Sequence, residues 1–153
     1  MIFRQAKTSE FEAIYRMGYE EWPKGRSLAQ YIEDNQKEEA VGTRFVLANR
    51  NDEAVASLML LRFQPYLFGI GSVVVAPAFR SQGLGKQLIE GCVRLYPDAA
   101  FMLYSEIGTA YYERFGFKAL PEEFQQSRKG ICMLKADGHL YEAMLKEPLP
   151  AYF

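Results

Sequence analysis

The residues best suited to chemistry stand together in one short stretch. Arg80-Ser81-Gln82-Gly83-Leu84-Gly85-Lys86 follows a β-branched run, Val73-Val74-Val75, and a turn containing Pro77, and it leads into a pattern of helical period. A helix start presents several backbone N–H groups without intrahelical partners, together with the positive end of the macrodipole. Glycines at 83 and 85 remove Cβ atoms that would hold an anion away from those groups, and Arg80 can add a fork of donors. Together these features predict a cradle for a diphosphate. The spacing is not that of a P-loop, because Gly85-Lys86 is followed by Gln87 and position 80 is not glycine. It is not G-x-G-x-x-G either, since residue 88 is Leu. Taken alone, the two glycines fit a plain strand-to-helix turn equally well.

A second group is Tyr111-Tyr112-Glu113-Arg114-Phe115-Gly116-Phe117. On its residue types alone Tyr112 reads as core packing. Glu106 lies where a helix is expected to start, so it is a candidate either for a base or for a carboxylate facing the helix dipole. Glu20 and Glu21, beside the break at Trp22-Pro23, read as solvated charges. One histidine, His139, and two cysteines, Cys92 and Cys132, leave few soft ligands, so no metal site is expected. A Ser-His-Asp or Cys-His nucleophile would have to use that same single ring.

The elements that position these residues follow from period and punctuation. Met1–Ala6 predicts a short strand, and Thr8-Ser9 predicts a cap for a helix through Phe11, Ile14, Tyr15 and Met17. Trp22-Pro23-Lys24-Gly25 breaks it, and Ser27 opens a second helix through Leu28, Tyr31 and Ile32. Strands are predicted over Thr43–Ala48, Ala54–Phe63 and Phe68–Ala76, the first two joined by the turn Asn49-Arg50-Asn51-Asp52. Leu84, Leu88, Cys92 and Leu95 recur at i, i+4, i+8 and i+11 as one apolar stripe, and Pro97 stops that helix. A strand over Ala100–Tyr104, a helix from Ser105-Glu106 to Gly116, a strand over Ile131–Leu134 and a short helix from Asp137 complete the reading. Meander-like strands followed by βα units make an α/β fold with a mixed sheet and helices on both faces.

Length and charge bound the function classes. The chain has 153 residues, 49% of them apolar and 24% charged, which suits one compact domain over 1–153 rather than a disordered chain. A net charge of −1 lacks the basic excess of a nucleic-acid binder. The longest weakly charged run, between Arg62 and Arg80, is interrupted by Gln64, Pro65, Gly69, Gly71, Ser72 and Pro77, so no membrane span is expected and a cytoplasmic protein is the default.

Arg80-Ser81-Gln82-Gly83-Leu84-Gly85 resembles the acyl-CoA-binding signature Gln/Arg-x-x-Gly-x-Gly/Ala of the GCN5-related N-acetyltransferase (GNAT) superfamily. Tyr111 to Phe117 is similar to that family's Leu/Phe-Tyr-x-x-x-Gly-Phe element, in the right order and at the right distance. The resemblance implies a twisted, mostly antiparallel sheet of six or seven strands. It implies acetyl-CoA as cosubstrate, with its pyrophosphate on the backbone of Arg80, Ser81, Gln82, Gly83, Leu84 and Gly85, and with Lys86 joining. The pantetheine arm is then expected along Val73, Val74 and Val75. Tyr112 takes the place of the family's proton donor to the departing thiolate. Ser105 stands where family members often carry an Asn that contacts the cofactor, and Phe68 to Ala76 lacks the carboxylate that many members use as base. The function implied is transfer of an acetyl group to a primary amine by direct attack in a ternary complex, with Tyr112 and Glu106 as candidate catalytic residues. A CoA-binding sensor or scaffold without catalysis is the alternative. Edge strands in this fold often pair between subunits, so a homodimer is a further expectation.

Overall fold

Local signals start each helix. The computed structural model, which describes residues 1–153, opens with strand β1 (Ile2–Gln5) and helix α1 (Phe11–Glu21). A single 3-10 turn over Thr8–Glu10 precedes α1 in place of the expected Thr8-Ser9 cap. Glu10 holds that turn, because its carboxylate accepts the Lys7 N–H at 2.8 Å and both Arg4 terminal nitrogens at 2.8 and 2.9 Å. Ser27 caps helix α2 (Leu28–Glu39), accepting the Gln30 N–H at 3.1 Å. Strands β2 (Gly42–Ala48), β3 (Ala54–Gln64) and β4 (Leu67–Val75) follow, then helix α3 (Leu84–Leu95) and strand β5 (Ala100–Ser105). Helix α4 (Ala110–Glu113), strands β6 (Lys118–Ala119) and β7 (Ile131–Lys135), and helix α5 (Gly138–Leu145) complete the chain. Asp137 caps α5 through the Leu140 N–H at 3.1 Å. No helix is long and apolar enough to cross a membrane.

The strands form a seven-stranded, mostly antiparallel sheet in the order β1-β2-β3-β4-β5-β7-β6. The chain divides into two compact units, residues 1–61 with 72–95, and residues 62–71 with 96–153.

In the first unit β1 and β3 flank β2, both antiparallel to it. Side chains alternate faces along a strand, so neighbours on β2 meet different helices. The buried Arg44 points to α2, pairing with Glu39 and with Asn35 Oδ1 at 3.2 Å, and its guanidinium lies 5.4 Å from the Tyr15 ring of α1. Phe45, the next residue, faces the opposite way and stacks on Phe3 at 5.0 Å, and Phe3 in turn lies against Gly91 of α3. Helices therefore cover both faces of this part of the sheet. Leu88 and Ile89 of α3 are fully buried, and each such side chain contributes about 1.5–3 kcal/mol.

In the second unit β4 and β5 pair in parallel over three residues, Leu67 with Ala100, Phe68 with Phe101 and Gly69 with Met102. β7 runs antiparallel to β5 and carries β6 on its other side. Leu67, Ala100, Met102, Cys132 and Leu134 form the strand contribution to its core, and Met144 of α5 packs against them.

The predicted helix from Ser105-Glu106 to Gly116 is not formed as such. Ser105 is still the last residue of β5, paired with Ile131, and α4 begins only at Ala110. The Ser105 hydroxyl donates to the Gly108 carbonyl and accepts the Ile107 N–H at 3.3 Å, closing a tight turn. Gly108 then takes φ +86°, which a right-handed helix cannot continue.

Candidate functional site

The loop expected to cradle a diphosphate is a built piece of backbone. Arg80 is extended, Ser81 has φ +63°, Gly83 has φ +76°, and α3 starts at Leu84. Gly83 accepts the Gln87 N–H at 3.1 Å, which fixes it as the residue that opens the helix. Alternation into the left-handed region turns successive N–H groups to one side, the arrangement of an anion nest, and the α3 dipole adds to it. A Cβ on Gly83 would meet no atom within 4 Å, so φ rather than crowding selects glycine there. Ser81, Gln82 and Gly83 are exposed, whereas the Leu84 side chain and Gly85 are buried and anchor the loop. Lys86 projects from the first turn and reaches Glu90 one turn on at 3.7 Å.

Arg80 does more than add charge. Its Nε donates to the Val75 carbonyl at 3.2 Å, and its terminal nitrogen lies 2.7 Å from Glu21 at the end of α1. The side chain thus ties the loop to β4 and to α1.

The end of β4 carries two features that residue types did not announce. Ser72 lies inside the strand with φ +52°, a conformation rare for a residue with a side chain and usual where strands bulge. Trp22 Nε1 donates to the Val73 carbonyl at 3.3 Å, so the break after α1 is pinned to β4. The Val73 and Val75 carbonyls therefore each accept one side-chain donor. Glu38, on the last turn of α2, reaches the Ser72 hydroxyl at 3.5 Å. Burial raises its carboxyl above the usual range and Glu39 adds to the rise, while Arg44, Ser72 and Arg26 act against it. The pattern Gly69-x-Gly71-Ser72 inside a strand is the sequence signal for such a kink. The Glu38 contact spans 34 positions and has no local signal.

Tyr112, Ser105 and Glu106 belong to the second unit. The Tyr112 ring meets Tyr111 edge-on at 5.0 Å and Phe117 at 6.1 Å. Burial, with a smaller contribution from Tyr111, pushes its phenol up to about 12. The phenol consequently keeps its proton throughout the neutral range. Tyr111, not Tyr112, makes the closer contact with Phe115, at 4.9 Å against 6.4 Å. Ser105 is buried, and its hydroxyl is used in the turn described above. Glu106 is exposed in that turn, four residues before α4, so the helix-start role expected for it does not exist. His139 lies in α5, as a tail-helix residue.

Comparisons with known proteins bear on the fold and the family. No curated protein matches the chain. Among solved structures, an acetyltransferase of the GNAT family from Staphylococcus aureus Mu50 superposes with a TM-score of 0.70 at 12% identity, covering 88% of this chain and 97% of its own. A GNAT family N-acetyltransferase from Escherichia coli in complex with CoA gives 0.69 at 15% identity, covering 88% and 79%. The PaiA N-acetyltransferase from Thermoplasma acidophilum in complex with coenzyme A gives 0.70 at 14% identity, covering 88% and 98%. The model of the acetyltransferase (GNAT) family matches residues 9–117, which is more than half of the chain and takes in both the loop at 80–85 and Tyr112. This protein belongs to the GNAT acetyltransferase family.

Proposed function

We propose that this chain is an N-acetyltransferase that moves an acetyl group from acetyl-CoA to a primary amine by direct attack in a ternary complex. The family uses acetyl-CoA as cosubstrate. The observation that carries the reading is the pair of left-handed residues, Ser81 and Gly83, at the start of α3. Backbone N–H groups from Arg80 to Gly85 bind the two phosphates, and Lys86 adds a cation. The backbone of Val73, Val74 and Val75 holds the pantetheine arm, and a β4 N–H such as that of Val75 polarises the thioester oxygen. Neither a metal nor a covalent enzyme intermediate enters this scheme.

Tyr112 is the proton donor in the scheme. A phenol at about 12 facing a thiol of about 8.5 is uphill for full transfer by roughly 5 kcal/mol. Its part is therefore to hydrogen-bond the sulfur while the carbon–sulfur bond breaks, and solvent completes the protonation. Tyr112→Phe should lower kcat by about 10²-fold, within the range for general acid catalysis, with the acetyl-CoA dissociation constant retained. Calorimetry with acetyl-CoA and ATP, followed by a panel of amines with thiol release as readout, tests the whole reading. Preferential ATP binding would remove it. Acetyl-CoA binding without thiol release from any amine would favour the non-catalytic CoA-binding module instead.

A further inference from the structure

We propose that Glu38, reaching from the last turn of α2 to the left-handed Ser72 of β4, is the base that takes the proton from the acceptor ammonium. The proposal rests on the transferase reading above and assigns it a residue. An alkylammonium has a pKa near 10.4, so at pH 7 only about one amine in 2,500 is neutral and able to attack. β4 itself, Leu67–Val75, carries no carboxylate. Glu38 supplies one from a neighbouring helix, with Oε2 3.5 Å from the Ser72 hydroxyl and next in sequence to the Val73–Val75 segment.

The surroundings suit a base. The polar groups that act on or face the Glu38 carboxyl are Arg44 of β2, Glu39 and Tyr31 on its own helix, Tyr15 of α1, Ser72 of β4, and Arg26 between α1 and α2. Both cations are already paired elsewhere. Arg44 is bound to Glu39 and Asn35, and Arg26 to Asp34 at 3.0 Å. Neither therefore locks Glu38 in an ion pair, and burial moves its carboxyl toward the neutral range, where a general base is most effective. The left-handed φ of Ser72 belongs with this contact, since strained backbone gathers at functional sites. The other carboxylates considered fit less well. Glu21 is bonded to Arg80, and Glu106 is exposed in a turn.

The step balances. One proton passes from the ammonium to the Glu38 carboxylate, and the freed nitrogen lone pair forms the bond to the thioester carbonyl carbon. The carbon–sulfur bond breaks with its electron pair on sulfur. Nitrogen loses its second proton, sulfur ends as a thiol, and Glu38 returns its proton to solvent.

The test is the pH profile of kcat/KM for the wild type, Glu38→Gln, Glu38→Asp and Ser72→Ala, with an amine found in the panel and with acetyl-CoA affinity measured alongside. Glu38→Gln should fall about 10²-fold near pH 7 and recover toward pH 10, where the amine supplies its own neutral form, at unchanged acetyl-CoA affinity. Glu38→Asp should regain part of the loss. Ser72→Ala removes the hydrogen bond that favours the charged carboxylate, so the acidic limb should move to higher pH. A Glu38→Gln profile equal to wild type overturns the assignment and leaves the transferase standing. A wild type that binds acetyl-CoA and releases no thiol with any amine removes both. If Glu38→Gln does not fold, the Ser72→Ala limb decides, and an unmoved limb overturns the assignment.

Discussion

At Gly83 the backbone sets the residue, and on the proposed reading it sets the ligand too. With φ at +76° and no atom within 4 Å of a Cβ, Gly83→Ala costs only the left-handed penalty of about 1–2 kcal/mol. For a chain of this length that is a drop of roughly 2–8 °C in melting temperature. The same change turns N–H groups out of the nest, so acetyl-CoA affinity should fall by about tenfold or more. Calorimetry would sink the cradle if affinity held while the melting temperature fell. Gly83 was readable because glycine takes positive φ without steric cost. At Ser72 the two glycines before it signal a kink in the strand, but its own residue type gives no hint that it takes φ +52°. Glu38 carries no local signal, and only the folded chain brings it to Ser72.

The elements were legible in proportion to how local their causes are. α2 and α5 start after Ser27 and Asp137 as expected, and α3 buries its apolar stripe as far as Cys92, whereas Leu95, in the last turn before Pro97, is exposed. α4 was overread because Ser105-Glu106 carries the composition of a helix start, whereas the Ser105 hydroxyl and Gly108 make a turn. β6 is two exposed residues long, too short for any period to show. The seating of α3 on β1 gives a sharp prediction. Alanine is favoured over glycine inside a helix by about 1 kcal/mol, so propensity alone makes Gly91→Ala stabilising. A Cβ at Gly91 would instead stand 2.5–2.6 Å from three atoms of the Phe3 ring. Overpacking of this kind costs about 1–3 kcal/mol, so the net change should be destabilising by up to roughly 2 kcal/mol. Phe3→Leu in the same background should recover part of the loss. Urea midpoints at or above wild type for Gly91→Ala would show that the ring gives way, and this account of the α3–β1 contact would fail.

At the scale of the molecule, strand order was the least legible property, because β7 is last in the chain and yet lies between β5 and β6. Pairing of that range leaves no mark on any local window. Chemistry that depends on burial is visible at this scale too. Burial alone pushes the Cys92 thiol, fully enclosed on α3, up to about 12 from its ordinary 9. Burial is also the main reason that Tyr15 and Tyr112 reach about 12 from 10. Each group keeps its proton longer folded than unfolded, so the folded state binds more protons and stability falls as pH rises through this window. Their contribution is fully present below pH 9 and is lost progressively up to about 12. At pH 10 the thiol accounts for about 1.4 kcal/mol of lost stability and the two phenols for roughly 0.4 kcal/mol each. A net charge of −1 adds little self-repulsion near neutrality, so the decline should begin only near pH 9. Urea unfolding of the wild type at pH 8, 9 and 10 should show it, with an unchanged m-value. Cys92→Ala, whatever the cavity costs at pH 8, should lose about 1.4 kcal/mol less than the wild type between pH 8 and 10, the rest of the decline coming from Cys132, whose thiol burial pushes up to about 11, and from the buried phenols. Parallel slopes for the two proteins would mean that the thiol ionises as easily inside the fold as outside, and that α3 is not closed over it.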